Sequence, residues 1–217
     1  VQEKALVMAQ EEGGEVGELT LLEMGNIQFN KKEYEKAISY YEEFVKRSPD
    51  NPRVSQALYQ EGIALYRLEY FSEAIKKWEK VAKEQKDDEL GSRALLQAGK
   101  TYFGLGKYSE ALKTYQSIME KYPGTEMAKD TVLQIGQCYY NQGKIQDAIT
   151  QYEKFITDYP QDERVGAVLE QLQMSYYRQG KSIEELERLI EKFPKSRFAA
   201  DTYWKLGAEA FNGKNYP

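Results

Sequence analysis

The chain has 217 residues, with 30 Lys and Arg against 35 Asp and Glu and a net charge of −5 at pH 7. It holds no histidine and a single cysteine, Cys138, which excludes Ser-His-Asp and Cys-His nucleophile systems, His-ligated zinc and any internal disulfide. An acidic balance disfavours gripping a nucleic-acid backbone, and a mean hydropathy of −0.73 with no long apolar run leaves no segment to span a bilayer.

Residues 1–17 read as the end of a preceding helical unit, with Ala5, Leu6 and Met8 on an apolar stripe, followed by an acidic glycine-containing loop, Glu11 to Glu18. From residue 18 a tandem pattern takes over. Gly25, Gly62, Gly99 and Gly136 recur every 37 residues, Gln173 holds the same place in a fifth unit, and Gly207 holds it in a truncated sixth. Ala37, Ala74, Ala111 and Ala148 follow twelve positions behind the glycines, and the large rings Tyr41, Trp78, Tyr115 and Tyr152 sixteen behind. Small residues at facing positions let two helices approach closely, and large rings fill the space beside them.

Each unit therefore reads as helix A, a tight turn, helix B and a stop. Gly106, Gly143 and Gly180 sit at the A–B turn, where a helix ends on a left-handed residue. Pro49, Pro123, Pro160 and Pro194 end helix B. Two residues on, Asn51, Thr125, Asp162 and Ser196 are expected to cap the next helix, with Pro52 at a first helical position. The unit boundaries fall at about 18–54, 55–91, 92–128, 129–165, 166–199 and 200–217. Alternating β-branched runs are absent, so no strand is expected.

Three departures stand out. Lys86 replaces the closing proline inside a charged run, Lys83 to Glu89, expected to be a polar turn with Asp87 or Asp88 as cap. Glu61 occupies a usually apolar helix A position and is expected to be half exposed, a specific polar contact being the other reading. The fifth unit is three residues short between Gly180 and Pro194, with Ser182 as its small residue, which should alter the local helical path. The last unit ends at Tyr216 and Pro217 with Trp204, Phe211 and Tyr216 where a terminal repeat would be polar. The array is therefore expected to continue in a longer protein, and its cut ends to self-associate weakly.

The series Leu95, Gly99, Tyr102, Gly106, Tyr108, Ala111, Tyr115 and Pro123 resembles the tetratricopeptide (TPR) repeat. That resemblance implies an all-α fold, a right-handed α-α superhelix or TPR solenoid of about five and a half helix-turn-helix repeats. The three residues by which each unit exceeds the usual TPR length lengthen helix A by about one turn. The long units and the closures Tyr122-Pro123, Tyr159-Pro160 and Phe193-Pro194 are most similar to bacterial cell-envelope TPR proteins, namely Tol–Pal-associated periplasmic proteins and the lipoprotein of the outer-membrane β-barrel assembly machinery. This implies a periplasmic or envelope-associated scaffold; a cytoplasmic TPR adaptor and a self-assembling structural protein are the alternatives.

No phosphate-binding loop, cysteine pair, EF-hand or nucleophile elbow occurs, so no catalytic residue, metal or cofactor is expected. Cys138, two residues after Gly136, reads as a small buried thiol. The chemistry left is a surface. The TPR resemblance places helix A on the concave face, where the position four after each reference glycine is aromatic: Phe29, Tyr66, Phe103, Tyr140, Tyr177 and Phe211. Arg67, Arg178, Asn30 and Asn141 flank the rings, while Asn26, Ile63, Lys100, Gln137 and Met174 lie one after the reference and Tyr59 three before it. The candidate groove for a protein or peptide partner is Phe29, Tyr59, Tyr66, Arg67, Lys100, Phe103, Gln137, Tyr140, Met174, Tyr177 and Arg178. Rings supply contact area at low entropic cost and polar heads align a backbone. The Lys/Asn/Arg clamp with which chaperone-binding TPRs hold a terminal carboxylate is missing, since Leu22 stands at the lysine position beside Asn26 and Tyr59 and Gln60 follow in the next unit.

Overall fold

The computed structural model describes residues 14–84, 88–179 and 191. Among them are nine α-helices and no strand: α1 (Gly14–Asn30), α2 (Tyr34–Arg47), α3 (Val54–Arg67), α4 (Phe71–Glu84), α5 (Asp88–Gly104), α6 (Tyr108–Lys121), α7 (Glu126–Asn141), α8 (Ile145–Asp158) and α9 (Val165–Gln179). Odd-numbered helices take the A role and even-numbered ones the B role. The four B helices start at Tyr34, Phe71, Tyr108 and Ile145 and each runs 14 residues. The A helices vary from 14 residues in α3 to 17 in α1 and α5, so the added length is not shared equally. The chain divides into two compact units at Ala128/Lys129.

Each A–B pair is locked by one contact. In the first unit a Cβ added to Gly25 would lie 2.5 Å from Tyr41 Cε1, one at Gly62 2.8 Å from Trp78 Cδ1, and one at Gly99 2.8 Å from Tyr115 Cδ1. In the second unit Gly136 meets Tyr152 Cε1 at 2.6 Å in the same way. All four rings are buried, as are Ala37, Ala74, Ala111 and Ala148 one turn before them. A ring seated against bare backbone brings the two helix axes closer than any larger residue would allow. Around these contacts the first unit's core gathers Leu21, Phe44, Leu58, Val81 and their neighbours.

The A–B turns share one geometry. The N–H groups of Glu33, Tyr70, Lys107 and Lys144 each donate, at 2.9 Å, to the carbonyl five residues back, in Gln28, Leu65, Tyr102 and Tyr139. That closure requires a left-handed residue. Gly106 and Gly143 supply it at φ +72° and +76°, but Lys32 and Glu69 adopt φ +64° in the other two turns. A side chain there costs about 1–2 kcal/mol, which the surrounding packing offsets.

Several expectations need correction. Helix α1 starts at Gly14, so the end of the Glu11–Glu18 stretch is helical rather than loop; carboxylates suit the positive end of a helix dipole. Only Thr125 caps as expected, its Oγ1 accepting the Ala128 N–H at 3.2 Å. Asn51 and Asp162 instead accept the N–H two residues on, of Arg53 and Arg164, both at 2.9 Å, closing a turn just ahead of the helix. Pro52 therefore lies in that turn and not at the first position of α3, which begins at Val54. Glu61 is not half exposed but 1% exposed, because Lys77 reaches from α4 to place Nζ 2.5 Å from Glu61 Oε1. Helix α5 begins at Asp88; the expectations for residues 1–13, Asp87, Ser196, the shortened stretch Gly180 to Pro194 and the sixth repeat lie outside the described residues.

Two glycines in α5 separate packing from propensity. Gly99→Ala should lower the unfolding free energy by about 1–3 kcal/mol, since the Tyr115 ring must move. Gly104→Ala, with nothing within 4 Å of the new methyl, should raise it by about 0.5–1 kcal/mol. Urea denaturation of both variants checks the opposite signs.

Candidate functional site

The Gly–ring lock fixes how each A helix is turned. Its glycine faces the B helix behind, so the residues four after it and three before it, about 40° and 60° round the helix, stay beside that seam, while those one and five after it, about 100° and 140° round, fall on other parts of its surface. In the first unit Phe29, Tyr66 and Phe103 sit at the ends of α1, α3 and α5. Each packs edge-on against the first residue of the following B helix, with centroids 5.4 Å (Tyr34), 5.3 Å (Phe71) and 5.2 Å (Tyr108) apart. Such pairs stabilise the turn and leave part of each ring open. Tyr66 keeps 42% of its surface exposed, while Phe29 and Phe103 are half-buried. Arg67 and Lys100 are exposed beside them.

Tyr59 is a correction. It is buried, its carbonyl accepting Trp78 Nε1–H at 3.2 Å, and burial is the main cause of its raised hydroxyl pKa. It nonetheless forms one wall of a cavity of about 390 Å³ between the starts of α3 and α5, with Pro52, Arg53, Gln56, Gln60, Glu89, Leu90 and Arg93. Arg93 pairs with Glu89 one turn away.

In the second unit Arg178 stacks its guanidinium 4.9 Å from the Tyr140 ring centroid, joining α9 to α7 on the A-helix side. Gln137 lines a cavity of about 220 Å³ with Leu133, Tyr152, Arg164, Ala167, Val168, Glu170 and Gln171. Met174 is 50% exposed on α9; Tyr177 lies in the same helix, its side chain outside the described residues. Beside the cavity, the turn before α9 is clamped to α7. Lys129 Nζ lies 2.5 Å from Asp162 Oδ2, and Arg164 bridges Asp162 at 2.8 Å and Asp130 at 2.5 Å. Arg164 and then Lys129 hold the Asp162 carboxyl well below the usual carboxylate range.

The cavities add Gln56, Arg93 and Ala167, all absent from the sequence-level groove. Each lies six residues before its reference position (Gly62, Gly99 or Gln173), one helical turn ahead of the position where Tyr59 was singled out. Extending the same helical stripe by a turn finds them. Cys138 is a free, buried thiol, pushed up to about 12 by desolvation, which keeps it protonated. Among the described residues no cluster of ligating side chains could hold a metal ion, and no helix is long and apolar enough to cross a membrane.

The family described as outer membrane lipoprotein YfiO matches residues 88–208, more than half of the chain. The chain belongs to the YfiO family. A tetratricopeptide repeat family matches residues 22–89. Solved structures with the same fold include YrrB, described as "a TPR protein with an unusual peptide-binding site", at 20% identity and TM-score 0.60, covering 92% of this chain and 97% of that one. MamA is similar at 20% identity and TM-score 0.63, over 82% of this chain and 92% of its own. A tetratricopeptide repeat protein from Parabacteroides merdae is similar at 20% identity and TM-score 0.60, over 90% and 76%. At these identities the likeness shows the fold, an all-α TPR solenoid. No curated protein matches the sequence.

One titration in this YfiO-family chain is testable. The Glu61 pKa is raised, first by desolvation, and Lys77 only partly offsets it; Oε2 has no hydrogen-bond partner among the described residues. An acid with a raised folded pKa binds its proton more tightly folded than unfolded, so its contribution falls as pH rises from the ordinary carboxylate range through the folded pKa. The stability difference between wild type and Glu61→Gln should therefore shift against wild type as pH rises above about 4.5. Paired urea titrations on either side of that pH check it, and a pH-independent difference contradicts the reading.

Proposed function

We propose that this chain is a non-catalytic scaffold that binds a protein or peptide partner along the concave, A-helix face, in a bacterial envelope assembly. The observation that carries this reading is that, within each unit, partly open rings, exposed cations and an open cavity lie on the A helices. In the first unit these are Tyr66, Phe103, Arg67, Lys100 and the cavity at Gln56 and Arg93; in the second, Tyr140, Arg178 and the cavity at Gln137. Rigid aromatic area edged by side-chain amides and guanidiniums is what a docked backbone needs. YrrB, with the same fold, is described as having a peptide-binding site. The description of the YfiO family as outer membrane lipoproteins supports the envelope location. A net charge of −5 supports protein over nucleic acid as partner.

The test is capture on the immobilised chain, offering soluble and envelope fractions of the source cell separately. Two variants run beside wild type. Tyr66→Ala/Phe103→Ala/Tyr140→Ala removes the rings, with folding checked by circular dichroism. Arg67→Glu/Lys100→Glu changes exposed side chains. A partner from the envelope fraction should be held by wild type, lost by the first variant and weakened about tenfold or more by the second. A partner held equally by all three contradicts the A-helix groove, and one drawn only from the soluble fraction contradicts the envelope role.

A further inference from the structure

The rings that lock the A–B pairs each carry a polar atom that burial makes costly to leave unpaired. Tyr41 donates its hydroxyl to Asn26 Oδ1 at 2.9 Å, and Trp78 its Nε1–H to the Tyr59 carbonyl at 3.2 Å. Tyr152 differs. It is 1% exposed, and its hydroxyl has no hydrogen-bond partner among the described residues. Gln137 stands where Asn26 stands in the first repeat, yet no hydrogen bond joins it to Tyr152.

Tyr152 is also a wall of the 220 Å³ cavity. That volume suits one amino-acid residue and not a whole small-molecule ligand. The cavity's chemistry is mixed in a defined way. Leu133, Ala167 and Val168 are apolar, and Gln137 and Gln171 bring amides that both donate and accept. The one cation, Arg164, is already held by Asp130 and Asp162, and the exposed rim residue Glu170 has no ion-pair partner among the described residues. A carboxylate ligand would meet no free positive charge.

We infer that this cavity is a subsite for one internal residue of an extended peptide, its small aliphatic side chain against Leu133, Ala167 and Val168 and its backbone carbonyl accepting the Tyr152 hydroxyl. The inference rests on the proposed peptide-binding role of the A-helix face. Burial raises the phenol pKa, so the group is a neutral donor and needs an acceptor. The hydroxyl is covered in the unbound chain, so seating the carbonyl opens the cavity wall slightly. Glu170 favours a basic residue over an acidic one next to the buried position.

The experiment uses the full chain and three small probes: N-acetylvaline N-methylamide, its glycine counterpart, and N-acetylvaline with a free carboxylate. Methyl resonances of Leu133, Val168 and Ala167 report binding. The valine diamide should shift them saturably, with the other two binding about fivefold more weakly or worse. Tyr152→Phe should weaken the valine diamide by about fivefold, while Tyr41→Phe leaves it unchanged. In urea, Tyr152→Phe should unfold at the same or a higher concentration than wild type, and Tyr41→Phe at a lower one. Equal affinity of wild type and Tyr152→Phe for the valine diamide, or no saturable shift, overturns the subsite. A natural partner lost by the ring-removed variant but kept by Tyr152→Phe would retire this subsite and leave the groove reading intact.

Discussion

Everything in this chain depends on bringing two helices close enough for a large ring to lie on bare backbone. Gly25, Gly62, Gly99 and Gly136 make that approach possible, and Tyr41, Trp78, Tyr115 and Tyr152 complete it. The contact sets the distance between the helices of a pair and the rotation of the A helix about its own axis. Because the glycine must face the B helix, the residues one and five positions on are fixed elsewhere on the A-helix surface, and the one four on stays beside the seam. The surface offered to a partner is thus a consequence of how the core is packed.

Two departures from the repeat show where packing alone does not explain the sequence. Glu61 replaces the apolar residues Met24, Ala98, Ile135 and Leu172 of its sister repeats, and is kept buried by Lys77. Replacing such a pair by hydrophobic residues is often neutral or stabilising, so the pair is weak evidence of a stability role. Tyr152 keeps a hydroxyl with no hydrogen-bond partner among the described residues, although phenylalanine would fill the same space. A buried donor of this kind beside an open cavity is what motivates the proposed peptide subsite.

The helix alternation and the burial of the four rings and of Cys138 were legible in the sequence, because a spacing of 37 residues repeats the same contact and makes each feature visible several times. The parts that were not legible depend on single, non-repeated events. Lys32 and Glu69 take left-handed backbone without glycine because the closing hydrogen bond to the carbonyl five residues back is made regardless. Glu61 looked exposed because its partner, Lys77, lies 16 residues away on another helix and can reach it only once the pair has docked. Tyr59 looked like a groove residue by position, but it lies only about 60° round the helix from its glycine, so it is buried while still lining the cavity. The cavities were invisible because they form between A helices of successive repeats.

The central claim is that a partner lies on the A helices and not on the B helices. Site-specific photo-crosslinking in the source cell tests it most directly, with a benzophenone side chain placed at Lys100 or Gln137 on A helices and at Lys113 or Thr150 on B helices. The account predicts that one envelope protein is captured from both A-helix positions and from neither B-helix position. Capture of that protein from Lys113 or Thr150 with none from Lys100 or Gln137 would contradict it.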